Sequence, residues 1–199
     1  MEEQRGGHDK MIIACDIDGV LNNLTDKVLE LYNSITGKKI KPSDITKYNF
    51  RECLPKEDAD GICKLFKEKE LWDSLTPLPY SQKCLKNLMN KGHQIIIATA
   101  TDPINFEWKC QWMKDHFPFI STDNIIRIMD KSLLKCDVMI DDHIDNLISN
   151  FCERIVIDAP WNKESAKDMV YDIYRAYDWR DVINIINDIE RKNEEWLKR

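Results

Sequence analysis

Met11-Ile-Ile-Ala-Cys-Asp-Ile-Asp-Gly-Val-Leu-Asn-Asn23 opens with a short β-rich apolar run, Met11 to Cys15, that stops at two carboxylates, Asp16 and Asp18. The run reads as a buried strand delivering acid to its own tip. Gly19 then releases the backbone into a turn, and the carboxyl ends of strands in open α/β sheets are where ligands usually sit. Two anionic side chains so close repel each other unless a cation lies between them, and hard oxygen ligands of this kind suit Mg²⁺. A blander reading stands beside it at this point, because Asp is also favoured as a cap at strand-to-helix turns.

Working outward, apolar spacing at Leu24, Val28, Leu31 and Tyr32 predicts a first helix over Leu24 to Ser34, stopped at Gly37. Periodicity is lost from Lys38 to Leu54, where Tyr48 and Phe50 stand as large aromatics in a loop-like context, and a helix is expected over Lys56 to Leu71. A break at Pro77 and Pro79 precedes a helix over Ser81 to Asn90 and a strand ending at Thr99 to Thr101. Helix follows over Phe106 to His116, then strands at Ile125 to Ile128, Cys136 to Ile140 and, last, Arg154 to Ile157. A charged amphipathic helix is expected over Asp181 to Leu197. Alternating strands and helices imply a Rossmann-like α/β fold, a parallel sheet with helices on both faces. The expected organisation is a loose tail over 1–10, one core domain over 11–36 and 78–199, and a small, mostly helical cap inserted over 37–77.

The chain has 199 residues and a formal charge of −6, with no block of consecutive Lys or Arg. That balance argues against a polynucleotide groove or an anionic membrane surface and leaves room for a small anionic substrate, whose local field one metal ion and one lysine can set. Seven scattered cysteines, an odd number without a C-x-x-C pair, make neither a disulfide framework nor a zinc site, so a reducing cytoplasm is expected. No apolar run approaches the roughly 20 residues of a membrane span.

Four strand ends or adjacent loops carry chemistry: Asp16 with Asp18, Thr101, Lys131, and Asp141 with Asp142. In a parallel sheet these ends share one edge, so residues far apart in sequence converge there. The ordered set resembles the four motifs of the haloacid dehalogenase-like phosphohydrolases. More narrowly, Asp16-Ile-Asp-Gly-Val-Leu, Leu75-Thr-Pro-Leu-Pro79, Thr101-Asp-Pro-Ile104, Glu107-Trp-Lys109 and Asp130-Lys131 leading to Ile140-Asp-Asp142 are similar to the 5′(3′)-deoxyribonucleotidases.

The resemblance implies an Mg²⁺-dependent phosphomonoesterase acting on a nucleoside monophosphate. Asp16 would be the nucleophile and Asp18 the acid and base; Asp16, the Asp18 carbonyl and Asp142 would hold the metal, with Asp141 behind them. Lys131 and Thr101 would bind phosphate, Thr101 being preferred to Thr99 because Asp-Pro-Ile follows it; Thr99 and Asp102 complete that group of candidates. Tyr48, Phe50, Phe66 and Trp72 are the candidates for stacking on a base. Leu24 stands where the family tends to carry an aromatic residue. The same chemistry on a sugar phosphate and a non-catalytic phosphate-binding module are the alternatives, and a homodimer is compatible with the sequence. His143 and the segment Asp158 to Asn162 are read as turns, against the alternatives that His143 positions water or phosphate and that the segment closes one wall of the cleft, and Glu190 to Arg199 is read as the solvated end of a helix.

Overall fold

The computed structural model describes residues 10–163 and 171–197, so the tail expected over 1–10 lies, apart from Lys10, outside the described residues. Among them six strands form one sheet: β1 (Ile12–Cys15), β2 (Gln94–Thr99), β3 (Ile125–Arg127), β4 (Val138–Asp141), β5 (Glu153–Ile157) and β6 (Ile173–Ala176). The order is β3-β2-β1-β4-β5-β6, and every neighbouring pair is parallel. The chain therefore winds outward from β1 in both directions, with its topological switch at the carboxyl ends of β1 and β4, the place where such sheets hold ligands.

β1 can sit in the middle because it has no exposed face. Ile13 and Cys15 join the large core on one side, while Ala14 joins a smaller cluster with Met139, Val156, Ile173, Ile144 and Leu147 on the other. Successive side chains of a strand point to opposite faces, and each fully buried Ile or Val contributes ~1.5–3 kcal/mol.

Among the described residues the helices are α1 (Leu24–Thr36), α2 (Lys56–Leu65), α3 (Lys69–Asp73), α4 (Ser81–Asn90), α5 (Pro103–His116), α6 (Ile144–Ile148) and α7 (Trp179–Leu197). α1 ends where Gly37 takes φ 71° and its N–H donates to the Asn33 carbonyl, and α5 starts three residues earlier than its periodicity indicates, with Pro103 in the first turn. Two indoles fasten outlying pieces to the core. Trp179 Nε1 donates to the Val20 carbonyl at 2.8 Å, and Trp112 Nε1 to the Leu75 carbonyl at 3.0 Å.

Three expectations are corrected. The helix expected over Lys56 to Leu71 is two, because the Phe66 carbonyl accepts the Trp72 indole N–H at 3.0 Å and the chain turns there. The strand at Arg154 to Ile157 is not the last, since β6 adds an edge whose Arg175 leaves the apolar pattern to pair with Asp158 at 2.9 Å. Glu190 is not solvated: it meets His93 Nε2 and Lys91 Nζ, each at 2.8 Å, and ties α7 to the start of β2. Between α1 and α4 the described elements are helical, and Leu71, Trp72 and Leu75 belong to the same core as the sheet. Among the described residues no helix is long and apolar enough to cross a membrane.

Candidate active site

β1 lies between β2 and β4, and one step past the ladder the Asp16 N–H donates to the Ile140 carbonyl at 3.0 Å. This places Asp16 beside the acids that end β4. One carboxylate oxygen each of Asp16, Asp141 and Asp142 lies within 4.8 Å of the others. Lys131 enters from a 3-10 turn capped by Asp130, whose carboxylate accepts the Ser132 N–H. Its Nζ stands 2.8 Å from Asp16 Oδ1 and 2.6 Å from Asp141 Oδ2.

The electrostatics are those of a desolvated cluster with more acid than base. Burial alone would depress the Lys131 ammonium, but Asp16 and Asp141 outweigh it and hold its pKa above the ordinary value. Burial pushes the Asp142 carboxyl well up, and Asp141 and Asp16 push it further. Asp141 is also raised by burial, against the pull of Lys131. Three carboxylates face one ammonium, so the site favours a further positive charge.

The two neighbouring acids differ in what they touch. Asp141 is fully engaged: besides Lys131 it accepts the His143 N–H at 2.9 Å and the Asn146 amide at 3.1 and 3.2 Å. The Asp142 carboxylate makes no hydrogen bond among the described residues and leans over Gly19, where a Cβ would lie 2.4 Å from its Oδ2. Asp18 is steered by Asn22 Nδ2 at 3.0 Å and Lys109 Nζ at 2.5 Å. Lys109, buried in α5, also donates to Thr99 Oγ1 at 2.8 Å.

Thr101 is buried two residues beyond β2; its carbonyl accepts Arg127 Nε at 2.8 Å, while its hydroxyl makes no hydrogen bond among the described residues. Asp102 is exposed and opens α5 through its carbonyl, which accepts the Phe106 N–H at 3.0 Å.

A cavity of about 330 Å³ opens above these groups, floored by Asp18, Gly19 and Asp142. Its walls include Leu24, Tyr48, Phe50, Phe66 and Trp161. The rings of Phe50 and Phe66 stand 6.0 Å apart, and Tyr48 stacks on His143 at 3.9 Å and 20°. The structure does not bring Trp72 to this cavity. It is buried between Lys109 and Trp108, as part of the core that also holds Leu71.

Sequence reasoning missed Lys109, Asn22 and Trp161 as parts of the site. The Glu107-Trp-Lys109 motif was a signal for the first, the place of Asp158 to Asn162 after a strand was one for Trp161, and nothing local marked Asn22. The segment read as a plain turn over Asp158 to Asn162 carries Trp161 into the cavity wall, while Asn162 donates to the Asp142 and Ile157 carbonyls at 2.8 Å.

A family described as 5′ nucleotidase, deoxy (pyrimidine), cytosolic type C protein matches residues 10–193. The chain belongs to this family. Within this nucleotidase family it is 32% identical over 171 residues to a 5′(3′)-deoxyribonucleotidase of Clostridium acetobutylicum, covering 86% of this chain and 92% of that one. It is 28% identical over 174 residues to the 5′(3′)-deoxyribonucleotidase of Bacillus subtilis, covering 87% and 96%. A haloacid dehalogenase-like hydrolase from Streptococcus pneumoniae superposes with a TM-score of 0.63 at 14% identity, covering 89% of this chain and 98% of that one. One from Deinococcus radiodurans, solved with bound phosphate and sodium, superposes with 0.55 at 12%, covering 82% and 89%. At those identities the likeness establishes the fold. This nucleotidase-family chain is a phosphoric monoester hydrolase on a haloacid dehalogenase-like core.

Proposed function

We propose that the protein removes phosphate from deoxyribonucleoside monophosphates, with Asp16 as nucleophile and Mg²⁺ as cofactor, in the cytoplasm. The observation that carries this reading is the buried Asp16, Lys131, Asp141 and Asp142 cluster meeting a cavity walled by aromatic rings.

Asp16 Oδ attacks phosphorus, and the new bond makes an aspartyl-phosphate as the nucleoside oxygen departs. Asp18 gives that oxygen a proton, then takes one from the water that attacks phosphorus and releases Asp16 and inorganic phosphate. Asn22 and Lys109 point the Asp18 carboxyl at the leaving oxygen. Lys131 offsets charge between nucleophile and phosphoryl group, and the Thr101 hydroxyl, which has no hydrogen-bond partner among the described residues, donates to a phosphoryl oxygen. Thr99 Oγ1 accepts from Lys109 and so supports the lysine that steers Asp18, which leaves Thr101 as the phosphate donor of choice.

The donor set fits a hard divalent cation. Asp16, Asp142 and the Asp18 carbonyl would hold it, while Asp141 is kept back by Lys131 and Asn146. Bound Mg²⁺ would supply neutralisation of phosphoryl charge. We assign the segment over 37–77 the part of a cap: it contributes Tyr48, Phe50 and Phe66, whose ring faces can stack on a base for ~1–3 kcal/mol.

The test is a panel of ribo- and deoxyribonucleotides and sugar phosphates, compared by kcat/KM with and without Mg²⁺. Deoxyribonucleotides are expected to lead, and Asp16→Asn to abolish Mg²⁺-dependent turnover with an unchanged far-UV circular dichroism spectrum. Equal kcat/KM for sugar phosphates would overturn the substrate assignment, and an active Asp16→Asn protein the nucleophile.

A further inference from the structure

Two thiols meet at the edge of the sheet opposite the acid cluster. Cys136 lies two residues before β4 and Cys152 directly before β5, and these parallel neighbours are registered Val138 to Glu153. The Glu153 N–H donates to the Asp137 carbonyl at 2.9 Å, which fixes the backbones that carry the two sulfurs. Both side chains are half-buried and pack on the same small cluster around Ala14, Met139 and Leu147. Both also line one cavity of about 560 Å³, with Asp137, Phe151 and Arg154 beside them. Phe151, adjacent to Cys152, is fully exposed, so a small reagent has a path to the sulfurs.

The pair is asymmetric. Hydrogen bonding with the neighbouring Cys136 thiol and the charge of Arg154 hold Cys152 below the ordinary thiol value against the effect of burial. The same bond, burial and Asp137 push Cys136 up. A thiolate-prone sulfur in contact with a second thiol has the chemistry of a redox pair, in which one sulfur reacts and the other resolves. Buried Cys15 and Cys84 and the half-buried Cys110 are pushed the other way, by desolvation.

We propose that Cys136 and Cys152 are a redox-active thiol pair that a hydroperoxide closes to a disulfide and a small thiol reopens. The Cys152 thiolate attacks a peroxide oxygen and the O–O bond breaks. Hydroxide leaves, takes a proton and becomes water, with Cys152 now a sulfenic acid. The Cys136 sulfur then attacks the Cys152 sulfur, and its proton and the displaced hydroxide depart as water. Two thiols have been oxidised and one hydrogen peroxide reduced to two waters. The covalent ring runs from 136 to 152 and encloses β4, both acids at its end and α6. This inference is independent of the substrate and mechanism proposed for the phosphatase site.

Trypsin cuts after Lys135 and Arg154, so both cysteines fall in one peptide, which makes the test direct. The reduced full chain is treated with a small molar excess of hydrogen peroxide, alkylated and mapped by mass spectrometry. The 136–154 peptide is expected to escape alkylation at both cysteines, to weigh two hydrogen atoms less, and to recover both alkylation sites after dithiothreitol. Cys136→Ser should instead leave a Cys152 sulfenic acid that a dimedone probe captures, and Cys152→Ser should leave Cys136 reduced. Alkylation of both cysteines in the treated wild type, or equal dimedone capture in the two variants, would overturn the proposal. If a serine variant loses its circular dichroism spectrum, the wild-type peptide map decides alone.

Discussion

Gly19 shows how a single atom decides the site. Its φ is +70°, and a Cβ there would come within 2.4 Å of Asp142 Oδ2. Gly19→Ala therefore costs ~1–2 kcal/mol of backbone strain and displaces the acid with the fewest ties. The expected outcome is a loss of about 100-fold in kcat, the scale of an ångström-sized misplacement, with a modest fall in Tm. Wild-type kcat in that variant would remove Asp142 from the proposed metal shell. At this scale the sequence was readable where residue types are rare in context, at Asp16 and Asp18 on a strand tip and at the tandem acids, whereas Lys131 stood out only as a member of the ordered set. Lys109 was marked only by the Glu107-Trp-Lys109 resemblance and its role was not readable, because one lysine among the charged positions of a helix looks like a solvated one until α5 is seen to bury it against Asp18.

Among elements, α1 and α2 meet where α2 carries a glycine. A Cβ at Gly61 would stand 2.6 Å from the Tyr32 ring, which is buried and held by its hydroxyl on Asp58 at 2.7 Å. Alanine would raise helix propensity by ~0.8–1 kcal/mol, but overpacking against a fixed ring costs ~1–3 kcal/mol. Gly61→Ala is therefore expected to lower stability and to loosen the segment bearing Phe50 and Phe66, raising KM more than it lowers kcat. A rise in urea midpoint would show that the contact relaxes freely.

The α7 clamp gives a prediction in pH. Burial would raise the Glu190 carboxyl, but Lys91 and His93 outweigh it and hold the group below its ordinary 4.5. Its stabilisation is thus present above that value and lost as pH falls through the lower folded one. Glu190→Gln should cost about 1 kcal/mol at neutral pH, and denaturant titrations should find the difference shrinking below pH 4.5; a constant gap would exclude the ionised clamp. Elements buried on both faces, such as β1, β2 and β4, were legible as apolar runs. β6 was not, because an edge strand carrying Arg175 has no such run.

For the whole molecule, the decisive quantity is uncompensated negative charge at the sheet switch point. Without metal, Asp142 holds its proton above the ordinary 3.8. The folded state then binds more protons than the unfolded one in that window, and this group's contribution to stability falls as pH rises through it. A divalent cation takes the proton's place. Mg²⁺ at 100 times its Kd is expected to add ~2.7 kcal/mol at neutral pH and progressively less toward acid, read as Tm against Mg²⁺ concentration at several pH values. A Tm indifferent to Mg²⁺ would sink the proposed metal site. By itself the sequence determined the alternating architecture, the strand tips that bear acid and the family resemblance, because those depend on residue types at local spacings. Only the tertiary structure decided that Trp72 packs the core while Trp161 walls the cavity, that Lys109 reaches Asp18, and that the Asp142 carboxylate rather than that of Asp141 is left without a hydrogen bond among the described residues. Those outcomes depend on which distant side chains share a volume in the folded chain, and no local pattern encodes that.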